Sequence, residues 1–182
     1  NGNKEDYLYA AVGKKAEDYI TRKNYDTQKS FIKFGDYASP EQTQVFADFI
    51  IDGFLDNKWS KVITLSTHFR TTLRQDVLSR ELLPITFENL EADINELVPE
   101  YGKYSENKTQ KNGNGHYEYR IEPKDEIGAH QLLNDLTKHL VEMVLYHLIL
   151  ESNASEHSAR MVAMKSASDN AGELKDNLLL IY

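Results

Sequence analysis

The sequence predicts an α/β fold: a mixed, mostly parallel sheet with flanking helices, followed by a long helix at the C-terminal end. Three observations predict it. Short aliphatic and aromatic runs alternate with helical periodicities over residues 7 to 85, and a helical pattern fills almost everything after Asp125. The composition is also that of a folding chain: 40% of the 182 residues are apolar and 27% charged, enough for the core of one domain.

Tyr7 to Val12 is aromatic, aliphatic or small and ends at Gly13, the pattern of a short buried strand closed by a turn. Lys14 to Lys23 reads as a short helix, and Ser30 to Phe34 as a second strand stopped by Gly35. Ser39-Pro40-Glu41 then supplies an N-cap, a proline where the helix has no use for an N–H, and an acid near the positive helix end. Val45, Phe46, Phe49, Ile50 and Leu55 recur at three- and four-residue spacing, so the helix that follows should lay one apolar face on the sheet. Trp59 to Leu65 is a strand rich in β-branched residues; Thr67 to Ile85 extends it and returns, ending at Leu82-Leu83-Pro84. That last pair is antiparallel and makes the sheet mixed.

Residues 88 to 115 change character to acids and then to a run rich in Asn, Lys and Gly, read as a mobile loop. His116 to Ile121 alternates as a short edge strand, broken by Pro123. Asp125 opens a helical stretch to about Glu151, with Leu132, Leu133, Leu136, Leu140, Met143, Val144 and Ile149 as its core face. Ser152-Asn153-Ala154-Ser155-Glu156 reads as an interruption with Ser155 as the next cap, so two successive helices are expected. The division separates a globular domain, residues 1–151, from a last helix over residues 152–182.

Along that last helix Ala159, Ala163, Ala167 and Ala171 recur every four residues, and Leu174 and Leu178 prolong the stripe. Small side chains let another backbone approach closely. The stripe packs either on the chain's own sheet or on a helix outside it. No Gly, Pro or basic cap follows Leu178-Leu179-Leu180-Ile181, and the polar opening Asn1 to Asp6 has no initiator Met, so the expectation is a piece of a longer chain.

Several functions are disfavoured by residue type. The formal charge is −8 and the 21 Lys and Arg are scattered, which argues against nucleic acid as a partner. Without cysteine the chain has no disulfides, thiolate metal sites or thiol nucleophiles. The longest nearly apolar run, Leu140 to Leu150, falls far short of the roughly 20 residues of a membrane span. Gly13-Lys14 resembles a phosphate loop, but Leu8 stands where its first glycine belongs and Lys15 where its hydroxyl belongs. His130, His139 and His147 lack metal-ligand spacing, Ser66 and Ser79 sit in no nucleophile elbow, and a dinucleotide fingerprint is missing. No catalytic residue, cofactor or metal is assigned.

Ser158-Ala159-Arg160-Met161-Val162-Ala163-Met164-Lys165-Ser166-Ala167-Ser168-Asp169-Asn170-Ala171, with the preceding Glu151 to His157, resembles the opening of the C-terminal helix of F-type ATP synthase gamma subunits. Tyr117-Glu118-Tyr119-Arg120-Ile121-Glu122-Pro123 is similar to that family's short strand and acidic turn, and Leu82-Leu83-Pro84-Ile85 to the end of its preceding strand. The resemblance is strong from about Lys61 to Tyr182; before that, Ala11-Val12-Gly13-Lys14-Lys15 fits a strand-to-helix turn loosely.

The resemblance implies a Rossmann-like domain at the foot of a central rotor stalk. Its N- and C-terminal helices would form an antiparallel coiled coil inside a ring of alpha and beta catalytic subunits, with the alanine stripe in the seam. It implies a non-catalytic subunit that transmits torque between a proton-transporting membrane c-ring and the catalytic subunits, its foot gripped by the c-ring and an epsilon-type subunit. Tyr117, Tyr119 and Glu122 become candidate contacts for that grip, or are ordinary edge-strand residues. Arg160 and Lys165, expected to point away from the stripe, would meet acidic surfaces of the catalytic ring or water. The family's N-terminal helix, first strand and the end of its rotor helix have no counterpart here. The 88–115 loop lies where photosynthetic relatives carry a regulatory insertion, but it has no cysteine for a disulfide switch. The implied location is peripheral, on the cytoplasmic face of a bacterial membrane or the matrix side of the mitochondrial inner membrane. The competing reading is a non-rotary α/β protein-interaction module.

Overall fold

The structure is a computed structural model that describes residues 7–32, 34–35, 38–86 and 126–182. The order of elements is β1 (Tyr9–Val12), α1 (Lys14–Arg22), β2 (Thr27–Phe31), α2 (Pro40–Leu55), β3 (Val62–Thr71), β4 (Arg74–Leu83) and α3 (Glu126–Ile181). Strands pair both ways and a long helix follows them, the mixed α/β arrangement that the alternation predicts; among the described residues β1 and β2 form one two-stranded sheet and β3 and β4, an antiparallel hairpin, another. The expected loop at 88–115 and the strand at 116–121 lie outside the described residues.

β1 and β2 pair in parallel, with Ala10 opposite Lys29, Ala11 opposite Ser30 and Val12 opposite Phe31. A parallel pair needs a crossover, and α1 supplies it. Gly13 makes the turn into α1 possible: its φ of 91° lies where a Cβ would be strained, and its N–H donates to Phe31 O at 2.9 Å. β2 starts three residues earlier than the apolar pattern suggests. Thr27, Gln28 and Lys29 are polar, yet backbone pairing with β1 makes them strand.

α2 begins where the proline marks it, and its cap is reciprocal. Gln42 N–H donates to Ser39 Oγ at 3.3 Å, while Ser39 N–H donates back to Gln42 Oε1 at 3.5 Å. The Ser39 contact also holds the Glu41 carboxyl below its usual range. Both α1 and α2 end on an asparagine in the left-handed region, Asn24 at φ 52° and Asn57 at φ 58°. At each end two N–H groups reach back to otherwise orphaned carbonyls: Asn24 to Thr21 and Tyr25 to Ile20, then Asn57 to Phe54 and Lys58 to Gly53.

The chain divides into two compact units. One comprises Asn1–Phe49, Ser66–Leu78 and Glu142–Tyr182, the other Ile50–Leu65 and Ser79–Val141. In the first, the core holds Ala11, Ala38, Phe46, Ala47, Leu145, Leu148 and Ile149, with Thr43, Ser155 and Ser158 buried beside them. Phe31 meets Phe46 and Phe49 edge-on at 4.8 and 5.9 Å, and the Lys29 ammonium lies over Phe31 and Phe49. In the second, Ile50, Leu82, Leu83 and Val141 are buried, and Trp59 packs against Gly53 while donating to Ile50 O at 3.1 Å.

Two expected core faces differ from the structure. In α2 the buried face runs through Thr43, Phe46, Ala47 and Ile50, leaving Val45 and Leu55 more than half exposed. In α3 it runs through Val141, Leu145, Leu148, Ile149, Ser155 and Ser158, whereas Leu133, Leu136 and Met143 face outward. Both patterns had counted only apolar side chains. The buried rows include threonine and serine, and following them rotates each face.

The expected break at residues 152–156 is absent: α3 is one helix of 56 residues. Serine and asparagine each cost a helix interior only a few tenths of a kcal/mol. Burying Leu145, Leu148 and Ile149 contributes about 1.5–3 kcal/mol each, so packing carries the helix through. Ser155, expected as a cap, is a buried interior residue instead.

Candidate functional site

The hairpin tip and the middle of α3 meet along a polar seam inside the first unit. A strand alternates the direction of its N–H groups, so Thr67 and Phe69 point off the same edge of β3. Side chains of α3 take up that edge: Thr67 N–H donates to Ser152 Oγ and Phe69 N–H to Glu151 Oε1, both at 3.3 Å. At the turn Ser158 Oγ donates to Thr72 O at 3.0 Å, and on another segment Asn153 Nδ2 donates to Gly35 O at 3.3 Å. Backbone groups that would otherwise be stranded at an edge are thus satisfied by one helix over two turns.

Charge reinforces the seam. His68 Nδ1 lies 2.5 Å from Glu151 Oε1, and His147 Nε2 lies 3.9 Å from Glu151 Oε2. Glu156 receives Arg160 at 2.7 Å from its own helix and Lys15 at 3.5 Å from α1. The tip itself is braced by Arg70, whose Nε donates to Asp76 Oδ2 at 2.6 Å. That guanidinium, helped by Arg74, holds the Asp76 carboxyl below its usual range against a smaller opposing push from burial.

Beyond the seam, α3 is exposed to its end apart from half-buried Val162. Ala159, Ala163, Ala167, Ala171, Leu174 and Leu178 all lie on this stretch and all are exposed. At 100° per residue the four-residue steps drift about 40° each, and the step back from Ala171 to Leu174 returns the row to a single sector. Among the described residues, none of β1 to β4 buries the stripe. Lys165 sits on the opposite side of the helix, whereas Arg160, one residue after Ala159, falls at 100° within the sector the stripe sweeps and engages Glu156. Tyr117, Tyr119 and Glu122 lie outside the described residues.

The seam residues escaped the sequence reading. The signal was present in the spacing 141, 145, 148, 152, 155, 158, which continues one helical face once serine is admitted as a buried residue. Among the described residues no group of three or more His, Asp or Glu is arranged to hold a metal ion, and no helix is long and apolar enough to cross a membrane.

A family model described as ATP synthase matches residues 1–182. The ATP synthase gamma chain of Halothermothrix orenii is 32% identical over 180 residues, covering 98% of this chain and 55% of the relative. That of Roseiflexus castenholzii is 34% identical over 172 residues, covering 94% and 51%. The chain thus spans about half the length of these curated relatives. Among solved structures, the central stalk and c-ring of Tetrahymena thermophila mitochondrial ATP synthase matches with a TM-score of 0.55 at 21% identity, covering 86% of this chain and 58% of that one. The rotor of Euglena gracilis mitochondrial ATP synthase in rotational state 1 matches at 0.52 and 17% identity, covering 95% and 62%. These two similarities concern the fold. With the family model matched along all 182 residues and curated gamma chains aligned over nearly the same span, the chain belongs to the ATP synthase gamma-chain family.

Proposed function

We propose that the chain forms the foot and rising helix of the central stalk of a proton-transporting rotary ATP synthase. It transmits torque between a membrane c-ring and the alpha and beta catalytic subunits and is not itself catalytic. The observation that carries this reading is α3, one uninterrupted helix of 56 residues, about 84 Å long at 1.5 Å per residue. A break at 152–156 would place a hinge between foot and shaft; an unbroken hydrogen-bond ladder passes twist along its length. The seam fastens the middle of this shaft to the hairpin, and the shaft's exposed small-residue stripe suits a second helix lying close against it.

In this role the alanine stripe forms the seam of an antiparallel coiled coil with the protein's N-terminal helix. Arg160 and Lys165 lie near the level where shaft meets catalytic ring, and Tyr117, Tyr119 and Glu122 contribute to the grip of the c-ring or an epsilon-type subunit. The complex is membrane-associated, with this subunit peripheral to the bilayer. The relatives named as central stalk and rotor support that placement.

A label on the foot tests the reading. Lys23 is exposed at the end of α1 and the chain has no cysteine of its own, so Lys23→Cys gives an attachment point. In the full-length protein assembled with its catalytic ring on a surface, ATP should drive unidirectional rotation of a bead attached there. A bead that stays fixed while the ring hydrolyses ATP contradicts the rotor assignment.

A further inference from the structure

The turn between β3 and β4 lacks the residues that make a tight bend easy: Thr72 and Leu73 stand where glycine, asparagine or aspartate is usual. Burial does not hold it either, since Leu73 is 80% exposed. Side chains do. Arg74 N–H donates to Thr71 Oγ1 at 3.1 Å, and the Gln75 amide spans the bend, its Nε2 donating to Thr71 O at 3.2 Å and to Thr72 O at 3.1 Å. Thr72 O also accepts Ser158 Oγ at 3.0 Å, so its two lone pairs are divided between the hairpin and α3.

Ser158 is the last buried residue of α3, and the helix beyond it is exposed apart from half-buried Val162. The Thr72 contact therefore lies at the level where α3 leaves the body of its unit. A buried hydroxyl has little water to turn to, but a helical serine can turn back on the carbonyl four residues earlier in its own helix. Which acceptor it takes depends on where Thr72 O is aimed. Both side-chain hydrogen bonds of Gln75 stay within the hairpin, so an effect of Gln75 on α3 passes through Thr72.

We propose that Gln75 is a positioning residue for the joint between hairpin and helix. By bridging the Thr71 and Thr72 carbonyls it fixes the bend so that Thr72 O meets Ser158, and that contact closes the seam that runs back through Phe69 and Thr67. The turn and this edge of β3 come away from α3 together. The central-stalk reading bears only on the consequence, that the shaft is held sideways where it leaves the foot; the joint itself is internal to the chain.

Amide hydrogen exchange on the full-length protein tests it. Phe69 and Thr67 are the reporters, because the acceptors of their N–H groups, Glu151 Oε1 and Ser152 Oγ, lie on α3; Gly13, whose N–H donates to Phe31 O, is the reference. Gln75→Met keeps the length of the side chain and removes its donors. It should speed exchange at Phe69 roughly fivefold relative to Gly13, the equivalent of one hydrogen bond between uncharged groups, about 1 kcal/mol. Ser158→Ala should do the same, and Ser158→Thr, which keeps the hydroxyl, should exchange like the parent. Because both losses act on one contact, the Gln75→Met, Ser158→Ala double variant should also stay near fivefold, where independent contacts would multiply to roughly 25-fold. Should Gln75→Met also speed exchange at Gly13, Gln75→Glu, equally long and without a donor at neutral pH, supplies the same comparison. A position 75 variant that speeds exchange at Arg74 but leaves Phe69 and Thr67 unchanged, or a double variant near the product of its singles, overturns the proposal.

Discussion

Replacing Gly53 by alanine sets two opposed effects against each other inside α2. Alanine is favoured over glycine in a helix interior by about 1 kcal/mol. At this position, however, the space a Cβ needs is already filled by the six-membered ring of Trp59. The ring cannot pivot away freely, because Trp59 Nε1 donates to Ile50 O at 3.1 Å. Overpacking costs about 1–3 kcal/mol, and breaking the indole hydrogen bond about 1 kcal/mol more. Set against the gain in propensity, Gly53→Ala should destabilise by about 1–3 kcal/mol. Trp59 is the only tryptophan of these 182 residues, so its fluorescence through a urea titration reports both the loss of stability and the displaced ring. Gly172→Ala is the matched control: it too lies in a helix, a Cβ there meets nothing within 4 Å, and the change should stabilise by up to about 1 kcal/mol. A Gly53→Ala protein as stable as the parent, with unchanged emission, would refute the steric reasoning.

Two further predictions concern the α2 cap and the hairpin tip. Ser39→Ala removes the acceptor for Gln42 N–H and should cost about 1 kcal/mol in denaturant unfolding, whereas Ser39→Asp should recover most of it. Asp76 has a folded pKa depressed by Arg70, so its contribution is fully present above the ordinary aspartate range and lost as pH falls through the folded value. Asp76→Asn should therefore loosen the hairpin at pH 7 and make little difference near pH 2, read as amide exchange at the turn; an equal effect at both would remove the Arg70 pairing from the account.

Much of the fold was legible because local chemistry and tertiary structure agreed. Ser39 and Pro40 start α2 where a cap and a proline say they should, and Gly13 turns the chain between β1 and α1. Two of the disagreements share one cause. Thr27 to Lys29 became strand through pairing with β1, and Ser152 to Glu156 stayed helix through burial of the leucines just before them. In both places a polar run was read by its own preference, whereas a distant segment decided its state. The site divided similarly. The alanine stripe stood out because it is periodic within one element, while His68 and Glu151 meet from positions 83 residues apart, a pairing no spacing rule announces.

The seam also has an evolutionary consequence. Glu151, Ser152 and Ser158 address N–H and C=O groups of the hairpin, which every residue type but proline offers alike. Side chains at Thr67, Phe69 and Thr72 can accordingly change without loosening this part of the attachment. Apart from His68 and Gln75, the identities that must persist for that hold lie on the helix, leaving the tip of the hairpin free to diversify its outward surface while the joint beneath it keeps its geometry.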